Sequence, residues 1–141
     1  MNWVYDDGGR AAAGFRGNAR DCVTRSVAIA AGRSYSEIYT KLGKFCREER
    51  IYGQRKKSSC RTGVNKKVII KYMTSLGWKW TPLMSIGTGC KVHLRAEELP
   101  TGRLVVVLSK HLAAVIDGVL HDTHDCSRGG TRCVYGYWIA G

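Results

Sequence analysis

R-D-C-V-T-R-S-V-A-I-A, residues 20–30, decides how this chain is read. Val23, Val27 and Ala30 recur on one apolar stripe and Gly32 stops it, so the stretch predicts a helix over residues 22–31. Asp21 stands just before the first turn and predicts an N-cap, its carboxylate accepting bonds from open amides. Cys22 then sits at the positive end of the helix dipole, which lowers a thiol pKa. A cysteine in a short apolar helix is more often a small buried hydrophobe. It becomes a nucleophile only if a histidine from elsewhere in the fold takes its proton.

The stretch S-K-H-L-A-A-V-I-D-G-V-L-H-D-T-H-D, residues 109–125, supplies that histidine. Asp117-Gly118 is a dipeptide favoured in two-residue hairpin turns, which pairs Ile116 with Val119 and sets His111 opposite His124. Strand side chains alternate, so His111, Ala113, Leu120, Asp122 and His124 share one side, with His121 and Thr123 on the other. Asp122 lies on the diagonal from His111, within reach of two side chains leaning together. Asp122 is therefore the candidate orienter of a His111 base, with His124 the alternative. Acyl transfer also needs oxyanion donors. The Cys22 N–H is one, and Asn18 is the side-chain candidate just upstream.

Between these stretches the chain reads as helices, then strands. Residues 1–20, rich in Gly, Ala and Arg, predict an extended arm, and residues 21–141 one domain. Ser34 and Glu37 form a capping box before a second helix carrying Ile38, Leu42 and Phe45 inward. Val64, Val68, Tyr72 and Leu76 predict a third helix over 63–76, capped by Gly77. Strands follow around Trp78–Trp80, then over 103–108, 112–116, 119–123 and 133–140, with 83–93 as loop. The fold class is α+β, helices first and a C-terminal antiparallel sheet after.

The net charge is +12, which suits nucleic acid, an anionic envelope or acidic protein surfaces. Arg55, Lys56, Lys57, Arg61, Lys66 and Lys67 form the candidate binding surface, in a stretch from Arg47 to Lys71 whose only acids are Glu48 and Glu49. A basic stretch can equally be a plain solvated face. No signal peptide and no run near ~20 apolar residues is expected, which places the chain in the cytoplasm with its six cysteines mostly reduced. A zinc module built from Cys90-x-x-His93 with His121, His124, Cys126 and Cys133 matches no zinc-finger spacing, so neither a metal nor a cofactor is expected.

With these residues on the page, the chain resembles the papain-like cysteine peptidase superfamily, nearest the bacteriocin-leader (double-glycine) peptidase type. The resemblance implies a papain-like fold whose nucleophile helix comes first, with Cys22 as nucleophile, His111 as base and Asp122 as orienter. It implies a hydrolase cleaving a peptide or other amide bond. The family's Gln six residues before the cysteine is Arg16 here. Cell-wall hydrolases apply the same chemistry to peptidoglycan amides. Residues 7–15 and 129–138 also resemble small uncharacterised proteins of tailed phages and proteobacteria. That likeness implies incorporation in a virion, with virion partners, and leaves room for a non-catalytic structural or accessory protein that uses its basic surface.

Overall fold

The computed structural model describes residues 1–85 and 87–140; Ile86, in the stretch read as loop, and Gly141 lie outside the described residues. The described chain is α+β, with three helices and a six-stranded mixed sheet. Strand β1 (Trp3–Tyr5) is followed by helices α1 (Cys22–Ala31), α2 (Tyr35–Arg47) and α3 (Lys66–Ser75). Strands β2 (Lys79–Pro82), β3 (Arg103–Leu108), β4 (His111–Ile116), β5 (Val119–Asp122) and β6 (Gly136–Ile139) complete it. The sheet order is β1-β5-β4-β3-β6-β2.

The sheet departs from the antiparallel expectation at β1, which pairs parallel to β5 with Trp3 opposite Leu120 and Tyr5 opposite Asp122. Trp3, Val4 and Tyr5 are all exposed, so they carry no buried alternation to mark a strand, and the partner comes from the far end of the chain. The arm over residues 1–20 is docked on the helices. Phe15 packs on Tyr35 and Tyr39 with ring centroids 5.0 and 4.8 Å apart. Arg61 donates to the carbonyls of Arg16 and Asn18 at 3.3 and 3.2 Å.

Helix α1 ends where expected: Gly32 adopts φ 64°, and its N–H returns to the α1 carbonyls. Ser34 caps α2, accepting the Glu37 N–H at 3.1 Å. Helix α3 begins later than its apolar spacing predicts, because Gly63 is drawn into a bridge with Ser59 and Asn65 precedes the first turn. Leu76, placed on its buried stripe by spacing, is exposed. The hairpin β4–β5 has the expected register, with Ile116 opposite Val119.

The sheet is covered on both faces. One cluster joins Val27, Leu42, Val68 and Tyr72 of the helices to Val105, Ala114 and Trp138. The other packs Leu104, Val106, Val115 and Leu120 under Leu94, Leu99 and Val134 of the long connections. Burying such side chains contributes roughly 1.5–3 kcal/mol each. The first cluster holds α1 against β4, through Val23, Val27, Ala28 and Ala30 with Leu112 and Ala114, and thereby fixes the head of α1 relative to the first residue of β4.

Candidate active site

The head of α1 carries more charge than its sequence advertises. Asp21 does not cap the helix: its φ and ψ are −98° and 26°, and its side chain makes no cap bond. Its carboxylate instead accepts from Arg25 Nη1 at 2.7 Å and from the Tyr35 hydroxyl at 2.7 Å, with Arg10 Nε at 3.7 Å. Buried cations next to the helix attract it more strongly than the open amides. Arg25, one turn beyond Cys22, also donates Nη2 to Asp122 Oδ1 at 3.0 Å. A buried guanidinium thus ties α1 to the end of β5.

Asp122 is almost fully buried, and its other oxygen, Oδ2, lies 2.6 Å from His111 Nε2. The Thr123 N–H donates to Oδ1 at 2.7 Å. The Asp122 carbonyl accepts from Trp3 Nε1 and from the Asp6 N–H, both at 3.0 Å, so β1 braces the same residue from outside. Because Nε2 is committed to Asp122, Nδ1 is left for sulfur. The Cys22 and Cys126 thiols both lie close enough to the His111 ring to raise it. Cys22 and His111 are each partly exposed, so the pair opens to solvent.

Burial alone would push the Cys22 thiol up and the His111 imidazole down. The opposite happens. The His111 ring and the Leu112 N–H, with Arg25 further off, bring the thiol below its ordinary value. Asp122, Cys126 and Cys22 together raise His111 to about 11. Burial also opposes ionisation of Asp122, yet His111 and Arg25 hold it down to about 2. These directions favour charge on the sulfur and on the ring together, with an ionised Asp122 carboxylate beside the ring.

Cys22, His111 and Asp122 are therefore brought together. His124 is exposed, its ring centroid 5.3 Å from that of His111, and the His111 ring is bonded by Asp122 rather than by His124. One ligand atom each of His111, Asp122 and His124 lies within 4.8 Å of the others. Those of His111 and Asp122 bond each other and Asp122 also holds Arg25, so the donors have protein partners. Asn18 does not join the site as a side-chain donor. It is exposed, and its hydrogen bond is through its carbonyl to Arg61. Arg55, Lys56, Lys57, Lys66 and Lys67 are exposed, while Arg61 also serves to dock the arm. Cys90 and Cys133 form a disulfide while Cys22, Cys46, Cys60 and Cys126 are free thiols, and the bridge removes two thiolates from the zinc set. The free, buried Cys46 and Cys60 thiols act on each other in the core, raising Cys46 and lowering Cys60, and the Cys60 thiol donates to the Tyr39 carbonyl at 3.4 Å. Arg25, Tyr35, Leu112 and Cys126 were not legible as site residues. The one available signal was the spacing of Asp21 and Arg25, which is that of a helical ion pair.

Compared with protein-family models, with curated proteins and with solved structures, the chain finds no match.

Proposed function

We propose that this chain is a papain-like cysteine hydrolase acting on a peptide or protein amide bond, with Cys22, His111 and Asp122 as its triad. The observation that carries the reading is the His111 ring held between the Cys22 thiol and the Asp122 carboxylate, at the head of a helix. The Cys22 thiolate attacks the carbonyl carbon and a C–S bond forms. The carbonyl oxygen takes the negative charge, facing the Cys22 N–H, which as the first residue of α1 has no acceptor within the helix. As the C–N bond breaks, His111 gives its proton to the leaving nitrogen, leaving a thioester on Cys22. Water then attacks the thioester, His111 takes its proton, and the carboxylic acid product leaves with the sulfur restored. A peptidoglycan amide would follow the same steps. Asp122 keeps Nε2 of His111 engaged, so Nδ1 faces the sulfur throughout.

The test is alkylation by iodoacetamide at neutral pH, with each site quantified by mass spectrometry. Cys22 reacts fastest, while Cys46, Cys60 and Cys126, all buried, lag far behind. Labelling of the four free thiols at one common rate would remove the reading.

A second reading has its own observation. Tyr52 is 76% exposed in a loop flanked by Arg50, Arg55, Lys56 and Lys57. Glu49, one of the stretch's two acids, turns inward to hold the loop base through Ser58 and Asn65 at 2.7 and 2.9 Å. A base can stack on such a ring while the cations meet phosphates. Single-stranded oligonucleotide binding that falls steeply with salt and weakens in Tyr52→Ala supports it; salt-independent binding or none removes it.

A further inference from the structure

A cleft of about 220 Å³ lies at the end of β4 away from the hairpin turn, lined by Ser109, Arg128, Thr131, Arg132, Cys133 and Tyr135. Its lining holds two guanidiniums and no carboxylate. Among the described residues neither Arg128 nor Arg132 forms an ion pair. Arg132 donates only to backbone carbonyls, to Ser109 O at 2.6 Å and Cys126 O at 3.4 Å. Its Nε–H is buried and has no acceptor. A buried N–H left without a partner is costly, so Arg132 is held in place at an expense its two carbonyl bonds must offset.

The backbone repeats the message. Arg128 adopts φ 53°, a conformation that favours glycine, although Gly129 and Gly130 are its neighbours. An L side chain at such a φ is strained, and this strained position puts the Arg128 side chain on the cleft lining. The loop is also tied to its surroundings at several points. Arg95 Nε donates to Gly130 O at 2.6 Å, the Arg132 N–H bonds Ser127 O, and the Cys90–Cys133 disulfide anchors the far side. Asp125, the nearest acid in sequence, is spent on the Ser127 N–H and hydroxyl at 3.0 and 2.6 Å.

We propose that this cleft is a binding site for a compact oxyanion, a carboxylate or a phosphoryl group, held by the guanidiniums of Arg128 and Arg132 with the Ser109 hydroxyl beside them. Guanidinium groups match such oxygens with paired, charge-assisted bonds. The site adjoins the triad. Ser109 lies two residues before His111, and Cys126, whose carbonyl Arg132 holds, lies close to the His111 ring. On the hydrolase reading, on which only this role rests, the cleft selects substrates bearing an acidic group beside the scissile amide.

The experiment titrates the full oxidised chain, by amide NMR at constant ionic strength, with inorganic phosphate in one arm and acetate in the other. The expected result is saturable shifts at Ser109, Thr131 and Arg132 with a Kd near ~1 mM, and the tighter arm names the oxyanion. Arg128→Gly, which relaxes the backbone, should melt no lower than wild type yet bind at least ~10-fold more weakly. Arg132→Met should also lose binding. Unsaturating shifts in both arms, shifts confined to α3 and the basic loop, or wild-type binding by Arg128→Gly would each overturn the proposal. Anion binding does not need the thiolate, so failure of the hydrolase reading is seen separately, in the alkylation rate of Cys22.

Discussion

Replacing Arg25 with Met removes the one cation that touches both buried carboxylates of the site. Methionine fills much of the same volume, so the effect is electrostatic rather than a cavity. The Arg25 side chain is 10% exposed, and its partners Asp21 and Asp122 are 3% and 1% exposed. Removing one member of a buried ion pair leaves the other charged and unsolvated, which costs roughly 3–5 kcal/mol. Against a total stability of about 5–15 kcal/mol this is a large share. At ~3 °C per kcal/mol for a domain of this size, the melting temperature should fall by about 10–15 °C. The assay is thermal unfolding at pH 7 followed by circular dichroism, with iodoacetamide labelling of Cys22 on the folded variant. Labelling should slow as Asp122 loses its anchor to α1. Arg25→Lys reaches only one carboxylate and should fall between the two. The double variant Asp21→Asn, Arg25→Met removes one orphaned charge and should recover part of the loss. Acid acts on the same pair. Asp122 is depressed from 3.8 to about 2, so its contribution is complete above 3.8 and disappears as pH falls through about 2. In Arg25→Met that carboxyl takes a proton more readily, so the deficit relative to wild type should close on acidification. A melting temperature within ~2 °C of wild type, or a deficit that widens in acid, refutes the reasoning.

Two further outcomes follow from the same geometry. His111 is raised from 6.5 to about 11, so its share of stability is complete below pH 6.5 and lost as pH rises through about 11. The stability difference between wild type and Asp122→Asn, measured by urea unfolding, should therefore be largest between pH 4 and 6.5 and shrink toward pH 11; a difference constant across that range would count against the pair. The Cys90–Cys133 disulfide closes a loop of sequence separation 43, for which chain entropy assigns about 4 kcal/mol. Reduction by a phosphine should lower the melting temperature and weaken anion binding at Arg132 more than it slows Cys22 labelling. An unchanged melting temperature on reduction would show that the bridge does not constrain the unfolded chain.

Local signals were readable where one short stretch sufficed. The stripe of Val23, Val27 and Ala30, the Ser34 cap and the Asp117-Gly118 turn each depend on neighbours within a few residues, and each is in place. Hairpin arithmetic also brought His111 near Asp122 without coordinates, because register and alternation are fixed once the turn is known. Asp21 was misread because its choice between capping α1 and pairing with Arg25 depends on Tyr35 and Arg10, which only packing delivers. Strand β1 was invisible because Trp3, Val4 and Tyr5 are stabilised by a distant edge and not by their own pattern.

By itself the amino-acid sequence determined the α+β order, the helix that presents Cys22 and the hairpin that carries His111 and Asp122. Periodicity, caps and turns are properties of contiguous residues, and they suffice for that much. Only the tertiary structure decided that Arg25 joins the two halves, that Cys126 shares the His111 ring, that Cys90 meets Cys133, and that Arg128 and Arg132 face one cleft without a counter-charge. Those are contacts between residues far apart in the chain, and burial decides their energies, because a charge in a dry interior must find a partner that no local pattern can name.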